Sequence, residues 1–131
     1  MNFDSLRYFT EDEMRCKCGC GAALMQPHFM AELDALRHAF GAPLRVSSGY
    51  RCPAHNATVS STGEDGPHTT GMAADLLVSG ADAYALLRMA LNGKAVGGFT
   101  GIGVRQRGDH ALRFIHLDML RSGMRPWVWS Y

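Results

Sequence analysis

A chain of 131 residues with 47% hydrophobic content can bury one real core and is too short for two comfortable ones, so one compact, monomeric domain is expected. Its formal net charge of +1 comes from 13 basic and 12 acidic side chains, and no run of Lys or Arg tracks along a face, which argues against nucleic acid as a partner. No stretch approaches the roughly 20 apolar residues that span a bilayer, and residues 1–7 lack the basic opening and apolar run of a secretory signal, so cytoplasmic synthesis without membrane insertion is expected.

Thr10-Glu11-Asp12-Glu13 has the Thr-x-x-Glu form of a capping box and opens a short helix, which the segment Cys16-Lys17-Cys18-Gly19-Cys20-Gly21 ends. Its three thiols alternate, and Cys52 stands alone further on. Structural zinc sites usually draw on Cys-x2-Cys pairs, whereas neighbouring thiolates in a Cys-x-Cys-x-Cys run point in alternating directions. Free thiols on a Gly-rich loop are therefore expected, with a disulfide and a second metal site as alternatives; Cys52 could close on the cluster if the fold brings them together.

Pro27 suits the first turn of the next helix, and Phe29, Met30, Leu33, Leu36 and Phe40 recur at three- and four-residue intervals until Gly41. His28 and His38 read as surface or rim side chains of that helix. Residues 43–47 read as a strand, followed by a loop at Ser48-Gly49-Tyr50-Arg51 and a helical turn from Pro53 to Val59, with His55 holding it against the site. Residues 60–67 form an exposed loop in which Glu64 and Asp65 are solvated charges. Residues 72–78 read as a strand, and Asp82 caps a helix through Leu91 with Tyr84, Leu87 and Leu91 along one side and Asn92-Gly93 at its end. Gly97, Gly98, Gly101 and Gly103 surround Phe99 and Ile102, which suggests a bent strand approached closely by another backbone or a ligand. A strand over residues 112–119 and the tail Trp127-Val128-Trp129-Ser130-Tyr131 complete the layout; the tail aromatics are expected to pack over the core, with an exposed stacking shelf as the alternative. The fold class is α+β, with a small, mainly antiparallel sheet flanked by helices.

His68, Asp75 and His116 stand out from this layout. Each alone has an ordinary explanation, as a satisfied core histidine or a carboxylate capping a turn. A carboxylate inside the apolar strand Met72-Ala73-Ala74-Asp75-Leu76-Leu77-Val78 is costly to bury unless a cation compensates it. On that strand Ala73, Asp75 and Leu77 share a face, Gly71 lets the chain turn back and bring His68 over it, and His116 and Asp118 share a face of the last strand. If the two strands are neighbours, the site closes from three directions. Two imidazoles and one carboxylate with a fourth position open to water are what a catalytic zinc ion requires, which points to a metallohydrolase.

Ser48-Gly49-Tyr50-Arg51, His68-x-x-Gly71-x-Ala73-x-Asp75 and Phe114-Ile115-His116-Leu117-Asp118 together resemble the zinc peptidases of the D-alanyl-D-alanine carboxypeptidase family, in its short bacterial and prophage branch of murein peptidases. The resemblance runs over residues 9–131, and the Cys-Lys-Cys-Gly-Cys-Gly stretch, His55-Asn56 and the Trp-Ser-Tyr ending look like that branch. It implies the Hedgehog/DD-peptidase fold and a Zn2+ ion held by His68, Asp75 and His116. It further implies hydrolysis of an amide bond in peptidoglycan stem peptides or cross-links by a prophage lysin or virion-associated enzyme, reaching the wall after holin-type release or on a virion. Arg51 resembles the arginine that contacts substrate near the reacting carbonyl, and its planar cation suits a developing oxyanion or a stem-peptide carboxylate.

Two departures stand against the family pattern. Its carboxypeptidases carry an acidic general base three positions before the last histidine, as Glu-x-x-His, where this chain has Arg113. Asp118 is the replacement expected, with Asp109 and His110 on the preceding loop as alternatives, and Asp118 could instead orient a ligand imidazole or an arginine. Gly66 stands where the family commonly has Ser. The missing acid leaves a second reading open: a catalytically inactive, zinc-containing wall-binding or structural module.

Overall fold

The computed structural model describes residues 1–92 and 98–131; Gly93 and Gly97, named above, lie outside the described residues. The first helix, α1 (Glu11–Met14), begins at the expected capping box, with the Thr10 hydroxyl accepting from the Glu13 amide and the Glu13 carboxylate accepting from the Thr10 amide. Helix α2 (Pro27–Phe40) starts with proline at its first turn and buries Phe29, Met30, Leu33 and Leu36. Phe40 is only half-buried. The same buried face carries Asp34, whose carboxylate accepts from the Arg7 and Tyr8 amides at 3.1 and 3.0 Å and from the Arg7 guanidinium at 3.0 Å. These bonds tie the N-terminal segment to α2 and satisfy a carboxylate that burial would otherwise leave costly.

Five strands form one sheet: β1 (Arg45–Ser48), β2 (Ala73–Leu77), β3 (Gly101–Arg105), β4 (Phe114–Asp118) and β5 (Trp127–Ser130), in the order β1-β2-β4-β3-β5. Every pairing is antiparallel except that of β5 with β3, so the α+β class and mainly antiparallel sheet stand as expected. Strand β4 begins later than the sequence suggests, because residues 110–112 form a 3-10 turn that delays it to Phe114.

Strand alternation gives the sheet two different faces. Ala74, Leu76, Ile102, Ile115 and Leu117 point into the apolar core with α2 and α4 (Gly80–Leu91). The opposite face carries Asp75, His116, Asp118, Gly101 and Gly103, and here the register matters: Asp75 lies directly across from His116, and Gly103 from His116 on the other side. Helix α3 (Pro53–Val59) follows β1 as expected. Among the described residues no helix is long and apolar enough to cross a membrane.

Three expectations are corrected. Ser79 rather than Asp82 precedes α4, leaving Asp82 in its first turn. The inward face of α4 is Ala83, Leu86 and Ala90, with Leu87 partly buried against the core, whereas Tyr84 and Leu91 are 68% and 70% exposed. On β3 the glycines make room for side chains rather than for a backbone or ligand: a Cβ at Gly101 would overlap the Asp118 carboxylate, and one at Gly103 would come within 2.7 Å of the Trp129 ring.

Gly71 ends the 3-10 turn Pro67–Thr70 in a left-handed conformation with φ +76°, and a Cβ there would overlap the Leu24 carbonyl. Gly71→Ala is expected to destabilise the protein by about 2–4 kcal/mol, since backbone strain and steric overlap add. Urea unfolding measures this; a loss below about 0.5 kcal/mol, the ordinary surface value, would contradict it.

Candidate metal centre

Three separately built pieces of backbone converge on the polar face of the sheet. Asp75 comes from the middle of β2, His116 from the facing position of β4, and His68 from the 3-10 turn that Gly71 redirects. All three side chains are buried. His68 Nε2 lies 3.3 Å and His116 Nδ1 2.9 Å from the same oxygen, Asp75 Oδ1. The two imidazole rings approach edge to face with centroids 5.0 Å apart.

The donor set fits a tetrahedral cation. Zinc–nitrogen and zinc–oxygen bonds of about 2.0–2.1 Å set tetrahedral donors about 3.3 Å apart, which the His68 separation of 3.3 Å matches, while that of His116, at 2.9 Å, has hydrogen-bond length. The outer nitrogens point the same way: His68 Nδ1 lies 2.7 Å from the Gly49 carbonyl and His116 Nε2 lies 2.9 Å from Asp118 Oδ2. Each ring is thereby fixed from behind with its other nitrogen directed inward, the arrangement that orients metal-ligating imidazoles. His68, Asp75 and His116 thus form a group able to hold a metal ion.

Around these three the surroundings are tightly specified. Arg51 donates from Nη2 to Asp75 Oδ2 at 3.3 Å, from Nε to Ser48 Oγ at 2.9 Å and from Nη1 to Asn56 Oδ1 at 3.2 Å. Asn56 is in turn held by Thr62 Oγ1 and the Gly63 carbonyl. Asp118 is fully buried, and Arg125 grips it with Nε on Oδ1 at 2.9 Å and Nη2 on Oδ2 at 2.7 Å. The Arg125 guanidinium also lies over the Trp129 ring, 5.1 Å from its centroid.

The electrostatics follow from this geometry. Burial alone would raise Asp75, but hydrogen bonds from His116 and His68 outweigh it and hold the carboxyl well below its usual range. Burial opposes the charge on His116, yet its two carboxylate partners, Asp118 and Asp75, prevail and raise its pKa. Asp118 is lowered despite burial, by His116 and Arg125. His116 thus stands between two carboxylates that favour its charged form.

The triad opens onto a cavity of about 670 Å3 whose wall includes Arg51, Arg105, Arg125, Phe114, Trp129 and Tyr131. The tail aromatics do not cover the core but form the exposed shelf that was the alternative: β5 runs beside β3 and sets Trp127, Trp129 and Tyr131 in the cavity wall, with Trp129 5.0 Å from the His116 ring. Asp118 stands behind His116 rather than on the cavity wall, and His110 and Asp109 are exposed on a turn outside the lining. Arg113 donates to the Gly108 carbonyl, away from the triad. Glu64 and Asp65 are exposed and likewise outside the lining. His28 and His38 are exposed, the latter bonded to the Tyr8 hydroxyl at 2.7 Å. Arg125 and Arg105 were not singled out from sequence, because only the tertiary fold brings them beside the triad, whereas Asn56 was named there only through the resemblance and its hold on Arg51 was not foreseen.

Residues 7–118 match the family described as peptidase M15. Among curated proteins none matches the chain.

The pKa directions give a pH signature. Asp75 and Asp118, lowered on folding, contribute stability that is present above about pH 4 and lost as the pH falls through their folded values. His116, raised on folding, contributes stability present below about pH 6.5 and lost as the pH rises through its folded value. The metal-free protein is expected to melt at a lower temperature at pH 8.5 than at pH 6, and added Zn2+, which can replace the lost proton, to raise the melting temperature more at pH 8.5. A metal-free melting temperature that climbs over this interval, in thermal scans with chelator, would contradict that origin.

Proposed function

This chain belongs to the peptidase M15 family of metallopeptidases, the zinc D-alanyl-D-alanine carboxypeptidase-like group, and on that premise we propose that it is a zinc-dependent murein peptidase. Its substrate is a peptidoglycan stem peptide or cross-link, and it acts as a prophage lysin or virion-associated wall enzyme. The observation that carries this reading is the convergence of His68 Nε2, Asp75 Oδ1 and His116 Nδ1 at 2.9 and 3.3 Å beneath an arginine-lined cavity.

His68, Asp75 and His116 would hold the ion. Zinc bound there supplies Lewis acidity toward a scissile carbonyl and activates a water at about neutral pH. The chain's own side chains then divide the remaining work. Arg51, fixed by Ser48, Asn56 and Asp75, presents a cation beside the triad, suited to the oxyanion that develops as the amide is attacked. Arg105 extends that positive wall, which favours stem peptides because these carry free carboxylates, while Arg125 lines it with its charge paired to Asp118. Tyr131, whose phenol is raised by burial, keeps its proton at neutral pH and lines the cavity as a hydrogen-bond donor.

Asp118 takes a different role from the base expected above. Both of its oxygens are engaged by His116 and Arg125, and burial leaves it no route to substrate. It is a positioning residue that fixes the His116 ring. His110 and Asp109 lie outside the cavity wall, so neither takes the base role. Among the described residues of that wall, Asp75 is the one carboxylate. This favours a second reading, a module that binds the wall through zinc and arginines without turnover.

Digestion of purified sacculi with mass detection of released peptides separates the two. Zinc-dependent appearance of new peptide termini, abolished in His116→Ala, is expected; retention on sacculi without any released fragment would select the binding module. Asp118→Asn is expected to lower activity or zinc affinity about 10- to 100-fold, with the pH optimum displaced because the His116 ring loses its charged partner.

A further inference from the structure

Far from the triad in sequence, and independent of the peptidase reading, four thiols meet. Cys16, Cys18 and Cys20 come from the loop after α1, and Cys52 is the residue that caps α3. Their sulfurs all lie within 4.8 Å of one another, with Cys16 to Cys18 at 3.5 Å and Cys18 to Cys52 at 3.7 Å. The alternation of a Cys-x-Cys-x-Cys run does not separate them here, because the chain curls: Gly19 takes φ +90°, and the Cys16 amide bonds back to the Ala22 carbonyl at 2.8 Å.

We propose that Cys16, Cys18, Cys20 and Cys52 hold a second, structural zinc ion. A zinc–thiolate bond of about 2.3 Å sets tetrahedral sulfurs about 3.8 Å apart, which the Cys16–Cys18 and Cys18–Cys52 separations approach. A disulfide requires about 2.05 Å, and no pair is joined. The sulfurs also have the outer partners of a thiolate site: the Cys52 amide donates to Cys16 Sγ at 3.3 Å and the His55 amide to Cys52 Sγ at 3.4 Å. Cys18 and Cys20 are exposed, which gives the ion an entry path and lets water screen the net charge of −2 that one Zn2+ and four thiolates carry. On binding, each thiol yields its proton to solvent and no electron is transferred.

Such an ion would staple the loop after α1 to the segment that serves the triad. Cys52 follows Arg51 directly, the Tyr50 amide donates to the Met14 carbonyl at 2.9 Å, and Gly49 supplies the carbonyl that holds His68. The second site therefore braces two of the contacts around the first.

The test is zinc-edge X-ray absorption and metal analysis on the reduced full chain and on His68→Ala/His116→Ala. The double variant is expected to retain one zinc with a sulfur-only shell at about 2.3 Å, and the wild type two zincs averaging about two sulfurs each. Adding Cys20→Ser to the double variant is expected to weaken the remaining zinc at least tenfold in chelator competition. Should either variant fail to fold, Co2+ added to wild-type protein decides alone, through an intense thiolate-to-cobalt charge-transfer band. A folded double variant free of zinc, a shell of nitrogen and oxygen only, or a cobalt-loaded wild type without that band would overturn the second site.

Discussion

The antiparallel pairing of β2 with β4, in the register that sets Asp75 opposite His116, is the constraint on which the other features depend. Strand periodicity is two, so a slip of one residue would send one of these side chains into the apolar core and the other away from its partner. The opposite face prevents that slip: Ala74, Leu76, Ile115 and Leu117 are fully buried, and moving any of them into the polar cavity would forfeit core packing. The hydrophobic effect thus fixes the register, and the register fixes the distance between two metal-ligand candidates. Function here is built from the side of the sheet that the core does not use.

Around that pair the protein supplies a chain of compensating charges. Arg125 neutralises Asp118, Asp118 orients His116, His116 faces Asp75, and Asp75 is shared with Arg51 and His68. Each buried charge has a partner, as burial in a low dielectric demands. Gly101 exists in this scheme as the space that the Asp118 carboxylate fills, and Gly103 as the space against which Trp129 rests. These glycines serve the site through what they lack.

Much of this was legible in the sequence, and for identifiable reasons. The capping box at Thr10, the α2 stripe and the apolar runs of β2 and β4 are local signals, and they locate the elements within a residue or two. The metal-site candidates were readable because a carboxylate stands among Ala and Leu where it needs a cation. The depth of Asp118 was not: shared strand face put it beside His116, but alternation says nothing of depth, and the structure buries it behind the imidazole under Arg125. Nor was the helical face of α4: of Tyr84, Leu87 and Leu91, set along one side by the sequence pattern, only Leu87 packs against the core, and Ala83, Leu86 and Ala90 are the buried positions. The closing of Cys52 on the other three cysteines was conditional on the fold for a similar reason, since Cys52 reaches the loop after α1 only through the tertiary path of β1.

The central claim is that one divalent ion joins His68, Asp75 and His116. Anomalous diffraction at the zinc absorption edge, from crystals grown with zinc, tests it most directly. Expected is a peak at about 2.0–2.2 Å from His68 Nε2, an Asp75 carboxylate oxygen and His116 Nδ1 together. Zinc-replete crystals with no anomalous density between those three atoms, or with density touching only one of them, would contradict it.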